Sequence, residues 1–240
     1  MADVGKDMAK SGTLVRRHRL STRIWHWVNA ATFIIMLMSG LMIFNAHPRL
    51  YWGEFGADYD HAWLKIGGEV AFPGWATIPS HYSLADARLW HMAFAWVLAI
   101  GLALFLLWAL VNGHLRRDIH ITRQEWRPSH IWRDVKEHAR LRFPRGEAAM
   151  RYGVLQKISY AAVLFLLLPL MIATGLAMSP GMDAAWPWLT ELLGGRQSAR
   201  SIHFIVAFAL VAFLIVHLVM VILAGPINEV RSMITGRYRL

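Results

Sequence analysis

Four stretches of the chain, 24–44, 89–111, 158–178 and 202–224, contain no Asp, Glu, Lys or Arg and are almost wholly apolar. They run to 21, 23, 21 and 23 residues. A helix needs about 20 such residues to cross a bilayer core about 30 Å thick. Inside lipid every backbone N–H and C=O must be satisfied internally, which an unbroken run of this length does as a helix. A soluble core can bury one such segment; four in a 240-residue chain that is 56% hydrophobic point to a membrane. The first run is too long and too far from Met1 for an ordinary signal peptide, and no small-residue cleavage site follows it. The expected fold is all-α and integral to the membrane. It is a four-helix transmembrane bundle forming a single domain over 1–240.

The formal net charge is +10, and its distribution carries the information. Lys and Arg number 6 in 1–23, 3 in 45–88, 11 in 112–157, 2 in 179–201 and 3 in 225–240, so alternate segments hold 20 against 5. Cytoplasmic segments collect Lys and Arg. The split predicts that both termini and 112–157 are cytoplasmic and that 45–88 and 179–201 lie outside, in a bacterial inner membrane. The basic excess is then a topology signal with some affinity for anionic lipid, and no nucleic-acid partner is expected.

The chain has no cysteine. Disulfides, thiolate-ligated clusters and covalent haem attachment through C-x-x-C-H are therefore excluded.

Between the spans, 45–88 is rich in aromatic residues and broken by glycine and proline. It is expected to lie on the membrane surface with one or two short helices, either as an aromatic belt or as a docking surface. In 112–157, Trp126, Ile131, Val135 and Leu141 mark one face of a surface helix that Phe143-Pro144-Arg145-Gly146 would end. Pro169 should kink the third span unless neighbours restore the lost hydrogen bond. In 179–201, Pro180-Gly181 and Gly194-Gly195 read as turns.

Twelve histidines occur, and four lie inside the apolar runs: His26, His91, His203 and His217. The other eight, such as His18, His61, His114 and His138, lie in polar segments and are expected to be solvated. An ionisable side chain at membrane depth is costly and needs a partner. His203 and His217 share the stretch "RSIHFIVAFALVAFLIVH". Fourteen helical residues separate them by roughly 21 Å and return them to nearly the same face. Topology sorts the four into two levels, His91 with His203 outside and His26 with His217 inside. Facing imidazoles in a bundle core ligate a haem iron from both sides, so two non-covalent haem b groups are expected. A proton relay or packing histidines remain the alternative for any one of them. Opposed pairs do not make a three- or four-ligand zinc or copper site.

Three of these histidines follow an arginine at i−3, in "RIWH" (Arg23), "RLWH" (Arg88) and "RSIH" (Arg200). Residues i and i+3 share a helix face, and each arginine lies one turn nearer water. Guanidinium there would pair with haem propionates, or would simply anchor the span at the interface. Gly40, Gly101 and Gly175 give room for a flat macrocycle or for a neighbouring helix.

Ligands on helices one and two and twice on helix four, fourteen residues apart, resemble the dihaem b-type cytochrome subunits of formate dehydrogenase, nickel–iron hydrogenase and thiosulfate reductase, a prokaryotic cytochrome b561-like family. The segments "RIWHWVNA", "RLWHMAFAW" and "ARSIHFIVAFALVAFLIVHLVMVILAG" carry the likeness over nearly the whole chain. "HPRLYWGE", "LRFPRGEAAMRYGVLQK" and "GPINEVRSMITGRY" look like the branch that accompanies a molybdopterin, sulfite-oxidase-like oxidoreductase. The resemblance implies electron transfer between an extracytoplasmic redox subunit and quinone, ubiquinone or menaquinone, on the cytoplasmic side. It places the quinone near Asn112, Gly113, Tyr152, Gln156 and Lys157, residues that an ordinary helix end would also carry. This chain has Gly153 where related members have Asn. A stand-alone oxidoreductase acting on superoxide or a small substrate, and a proton or solute carrier, are the rival readings.

Overall fold

The computed structural model describes residues 12–68, 70–113, 120–140 and 153–240. They fall into two compact units. One is built from the described parts of Met1–His26, Leu110–Tyr160 and Leu214–Leu240, the other from those of Trp27–Ala109 and Ala161–Phe213.

Among the described residues, four helical segments are long and apolar enough to cross a membrane: α1 (Leu20–Asn45), α2 (Leu84–Val111), the run Val154–Met178, and the helix Arg196–Ala224. At 1.5 Å per residue, even the 25-residue run spans about 37 Å, more than a hydrocarbon core needs. Each starts four to six residues before its uncharged stretch. Helical hydrogen bonds do not depend on apolar side chains, so the coil continues into the polar interface and takes Arg23, Arg88 and Arg200 with it.

The third run is not uniform. It consists of α4 (Val154–Ala162), a five-residue π-helical turn at Val163–Leu167, and α5 (Leu168–Met178). Pro169 has no N–H to donate and its ring crowds the carbonyl four residues back, at Phe165. The wider π turn lies at that carbonyl, so the helix meets the proline by local widening.

In the first unit, β1 (Leu14–Arg16) pairs antiparallel with β4 (Arg237–Arg239), in register Leu14↔Arg239. Arg17 donates to both carboxylate oxygens of Glu229 at 2.9 and 2.8 Å and lies over the Tyr238 ring at 4.6 Å. The Asn228 side chain brackets Arg239, donating to its carbonyl and accepting from its N–H. The ends of the described chain therefore lie together, as an even number of crossings requires. Between them, α9 (Pro226–Thr235) ends at Gly236, whose φ of 80° makes the left-handed turn.

The same unit holds α3 (Pro128–Ala139). Its half-buried residues include Ile131, Asp134, Val135 and His138, at i, i+3, i+4 and i+7, with His130 and Glu137 beside them. Trp126 lies before the helix and is exposed, so the expected face is corrected to one without it; Leu141 and Phe143–Gly146 lie outside the described residues. Asp134 accepts from the N–H of Leu155 at 3.0 Å and so caps the start of α4.

In the second unit, Met171, Val206 and Leu210 form a buried cluster, with Phe33, Leu167 and Ile202 packed on it. Segment 45–88 holds a feature that its composition hid. β2 (Arg49–Leu50) pairs antiparallel with β3 (Leu64–Lys65), and the expected short helices reduce to one 3-10 turn at Gly74–Ala76. Beyond α5 come α6 (Pro180–Ala185) and α7 (Pro187–Leu192). Pro180 opens a helix rather than a turn, because a proline at the first helical position forfeits no hydrogen bond. Gly194 and Gly195 do turn, with φ of 78° and 102°.

The last span, α8 (Arg196–Ala224), begins against the hairpin. The N–H groups of Gln197 and Ser198 donate to the Gly53 carbonyl at 3.0 and 3.1 Å. Ser198 Oγ accepts from the Gly53 N–H at 2.8 Å. A helix leaves its first N–H groups unsatisfied, and here a carbonyl of the hairpin takes two of them. A Cβ on Gly195 would sit 2.6 Å from the Gly53 carbonyl carbon, so only glycine allows this approach. Trp63 Nε1 donates to Ser201 Oγ at 2.9 Å, and Ser201 donates to the Tyr51 carbonyl at 2.6 Å.

Candidate functional site

The four membrane histidines form two facing pairs. His91 of α2 and His203 of α8 have ring centroids 6.2 Å apart, with ring planes at 62°. His26 of α1 and His217 of α8 have centroids 6.3 Å apart, with planes at 55°. The first pair lies wholly in the second compact unit and the other wholly in the first. Among the described residues, no three of His, Cys, Asp or Glu converge as a metal cluster would require.

The surroundings of His91 and His203 follow one plan. Ser39 Oγ lies 3.1 Å from His91 Nδ1, and Thr174 Oγ1 lies 2.9 Å from His203 Nδ1. The next residue on each helix is a glycine. A Cβ on Gly40 would sit 3.3 Å from His91 Cε1, and one on Gly175 would sit 3.6 Å from His203 Cε1. Each histidine is thus backed by a hydroxyl and a bare backbone from a helix that supplies no histidine to that pair.

Arg23 and Arg200, two of the arginines at i−3, have protein partners of their own. Arg200 donates from Nη1 to the Arg49 carbonyl at 3.0 Å and from Nη2 to the His47 carbonyl. Arg23 donates to the carbonyls of Met233 and Ile234, near the C-terminal end of α9. Arg88 is exposed. A guanidinium carries five donors, so Arg23 and Arg200 keep capacity for a further anion.

Of the residues that the quinone expectation named, Tyr152 lies outside the described residues. Gly113, with φ of 63°, donates its N–H to the Leu110 carbonyl and ends α2, with half-buried Asn112 just before it. Gln156 Oε1 accepts from the Gly153 N–H at 3.0 Å, one half of a capping box at the start of α4. Lys157 Nζ donates to Glu125 Oε1 at 2.8 Å and to the His120 carbonyl at 3.1 Å.

The histidines outside the spans are less uniformly solvated than expected. His61 is exposed, but His18 and His138 are half-buried. Burial, with the Arg17 guanidinium beside it, pushes His18 down to about 4. His138 Nδ1 lies 2.8 Å from the Asp134 carbonyl. His114 lies outside the described residues.

Residues 17–236 match the family model of prokaryotic cytochrome b561, and the chain belongs to that family. It is a multi-pass membrane b-type cytochrome, of a class that carries electrons with haem b. Over 201 residues it is 28% identical to a protein of Azospira oryzae assigned as protein-methionine-sulfoxide reductase subunit YedZ1, covering 84% of this chain and 87% of that one. It is 24% identical over 226 residues to a protein of Azotobacter chroococcum mcd 1 assigned as a Ni/Fe-hydrogenase B-type cytochrome subunit, covering 89% and 82%. It is 23% identical over 242 residues to a protein of Escherichia coli K12 assigned as the cytochrome YdhU, covering 98% and 79%.

The geometry can be tested against a haem. Imidazoles on opposite sides of one metal, with nitrogen–metal bonds of about 2.0–2.1 Å and each nitrogen about 1.1 Å from its ring centre, place their centroids roughly 6.3 Å apart. The observed 6.2 and 6.3 Å agree. The donor set also agrees, being two imidazoles per site and no thiolate.

Proposed function

We propose that this chain carries electrons across a bacterial inner membrane, between an extracytoplasmic redox subunit and the quinone pool, through two haem b groups. The reading rests on the two facing histidine pairs with separations that suit one metal each. His91 and His203 would hold the outer haem, and His26 and His217 the inner one. A haem b held by two imidazoles takes up and gives back one electron without opening a coordination position to substrate. α8 supplies one ligand to each pair, fourteen residues apart.

The orientation rests on the 20-to-5 split of Lys and Arg, which favours cytoplasmic termini and a cytoplasmic 112–157 segment. Arg23, Arg88 and Arg200 would hold propionates, Arg23 and Arg200 with donors beyond those given to backbone carbonyls. On the outside, 45–88 and 179–201 would receive the partner. The relatives described as subunits of a methionine-sulfoxide reductase and of a Ni/Fe hydrogenase support a partner oxidoreductase, and the molybdopterin type suits the resemblance of "HPRLYWGE". Quinone would bind on the cytoplasmic side near Asn112, Gly113, Tyr152, Gln156 and Lys157.

The test is haem stoichiometry in the purified protein and its histidine variants. Two acid-acetone-extractable haems per chain are expected. Ala at His91 or His203 should remove one, and Ala at His26 or His217 the other. In membranes, His217→Ala should lose reduction by quinol, whereas His91→Ala should keep it. A ratio near one haem per chain would sink the four-ligand assignment.

A further inference from the structure

Ser39 and Thr174 are fully buried hydroxyls that the haem reading does not itself require. Each lies at the Nδ1 of its histidine, which leaves Nε2 as the nitrogen open to a metal. Ser39 Oγ donates to the Ile35 carbonyl at 2.7 Å, and Thr174 Oγ1 to the Leu170 carbonyl at 2.7 Å. A hydroxyl has one proton. With that proton committed to the helix, the oxygen meets the imidazole as an acceptor, and Nδ1 carries the hydrogen. The tautomer is then fixed, and Nε2 is left with its lone pair for a metal.

We propose that Ser39 and Thr174 are positioning residues for the His91–His203 site: each accepts the Nδ1–H of one histidine, fixes its tautomer and raises its donor strength toward iron. The inference rests on the haem reading above. A hydrogen-bond acceptor behind a metal-bound imidazole makes it a more basic ligand. A more basic ligand favours ferric over ferrous iron, so the two hydroxyls hold this site at a lower reduction potential than bare imidazoles would. The neighbouring glycines complete the device. Gly40 leaves no Cβ to crowd the His91 ring, where one would sit 3.3 Å from Cε1, and at Gly175 a Cβ would only touch the His203 ring, at 3.6 Å. The plan "Ser-Gly" on α1 and "Thr-Gly" on α5 serves the two ligands alike.

The test is a redox titration of the membrane protein, following each haem by its absorbance and by low-temperature electron spin resonance of the ferric state. Thr174→Val keeps the side-chain shape and removes only the hydroxyl; Thr174→Ser keeps the hydroxyl. At a fixed ambient potential Thr174→Val should raise the reduced-to-oxidised ratio of the His91–His203 haem several-fold and shift its ferric signal. Thr174→Ser should restore both, and the other haem should not move. Ser39→Ala should act in the same direction.

No change in potential or ferric signal in Thr174→Val and Ser39→Ala would overturn the inference. So would a fall in the ratio, which would mean that the hydroxyls donate to Nδ1. If Thr174→Val loses the haem while Thr174→Ser keeps it, the hydroxyl is needed to hold the ligand, which supports the inference. If both lose it, side-chain volume rather than the hydroxyl holds the site, and the inference fails. His91→Ala separates the underlying reading: if it retains two haems, the ligand assignment itself is wrong. If it loses one while Thr174→Val and Ser39→Ala leave titration and signal unmoved, only the role of the hydroxyls is wrong.

Discussion

Lys157 Nζ lies 2.8 Å from Glu125 Oε1, and the side chains of both are largely buried. The carboxylate also accepts from the N–H of Thr122 at 2.8 Å. The Lys157 ammonium, with Thr122 helping, holds Glu125 down to about 2 from a usual value of 4.5. Between those two values the unfolded chain binds more protons than the folded one, so stability falls as pH falls through this window. Thermal melts of the detergent-solubilised protein should fall more steeply from pH 5 to pH 2 in the wild type than in Glu125→Gln. Equal slopes would mean that the pair contributes nothing.

The same pair bears on quinone. If Lys157 acts only through Glu125, Lys157→Met and Glu125→Gln should lower stability by similar amounts, and the double variant should lose little more. If Lys157 also binds quinone, its replacement should slow reduction by quinol beyond what Glu125→Gln does. A double-mutant cycle read once by melting and once by quinol reduction separates the two.

Gly40 and Gly175 are not equivalent. The Cβ of an alanine would sit 3.3 Å from His91 Cε1 at position 40, but at an ordinary 3.6 Å from His203 Cε1 at position 175. Gly40→Ala should therefore displace the imidazole and alter the ferric signal of that haem more than Gly175→Ala does. The reverse order would show that the macrocycle itself, rather than the imidazole, lies against Gly175.

Orientation is checked with single cysteines in this cysteine-free chain. A cysteine at fully exposed Tyr59 should react with an impermeant maleimide in intact cells, and one at half-buried Glu137 should react only after lysis. The opposite pattern would invert the topology read from charge.

Asp134 caps α4 from another helix, so Asp134→Ala should cost about 0.5–2 kcal/mol, the usual range for a lost cap. The loss should appear as a lower melting temperature with haem content unchanged. Asp134→Asn, which keeps an oxygen acceptor, should recover most of it.

The spans and the histidine pairs were legible because their chemistry stands out. Twenty uncharged apolar residues have few other uses, and a histidine among them demands a partner. The supporting groups were less visible. A serine or threonine in a membrane helix ordinarily bonds to the carbonyl four residues back, as Ser39 and Thr174 also do, so neither residue signals which neighbour it faces. The available signal was the hydroxyl–glycine doublet, repeated on α1 and α5. The β2–β3 hairpin was hidden for another reason, since strands of two residues have no period to detect. Gln156 was legible as a cap, standing three residues after Gly153, a role compatible with the quinone site that the resemblance implies.

The backbone of α8 begins its first turn on a carbonyl that belongs to the β2–β3 hairpin. Gly53 takes the N–H groups of Gln197 and Ser198, Arg200 holds the carbonyls of His47 and Arg49, and Ser201 joins Trp63 to Tyr51. These two stretches, far apart in sequence, are therefore one unit of exchange. A chimera that grafts a relative's hairpin onto this chain must bring that relative's 195–201 equivalent with it, or leave the start of the helix that bears His203 without its acceptor. If the hairpin receives the partner subunit as proposed, partner choice and the placement of His203 are tied at this end of α8, and varying one requires rebuilding the other.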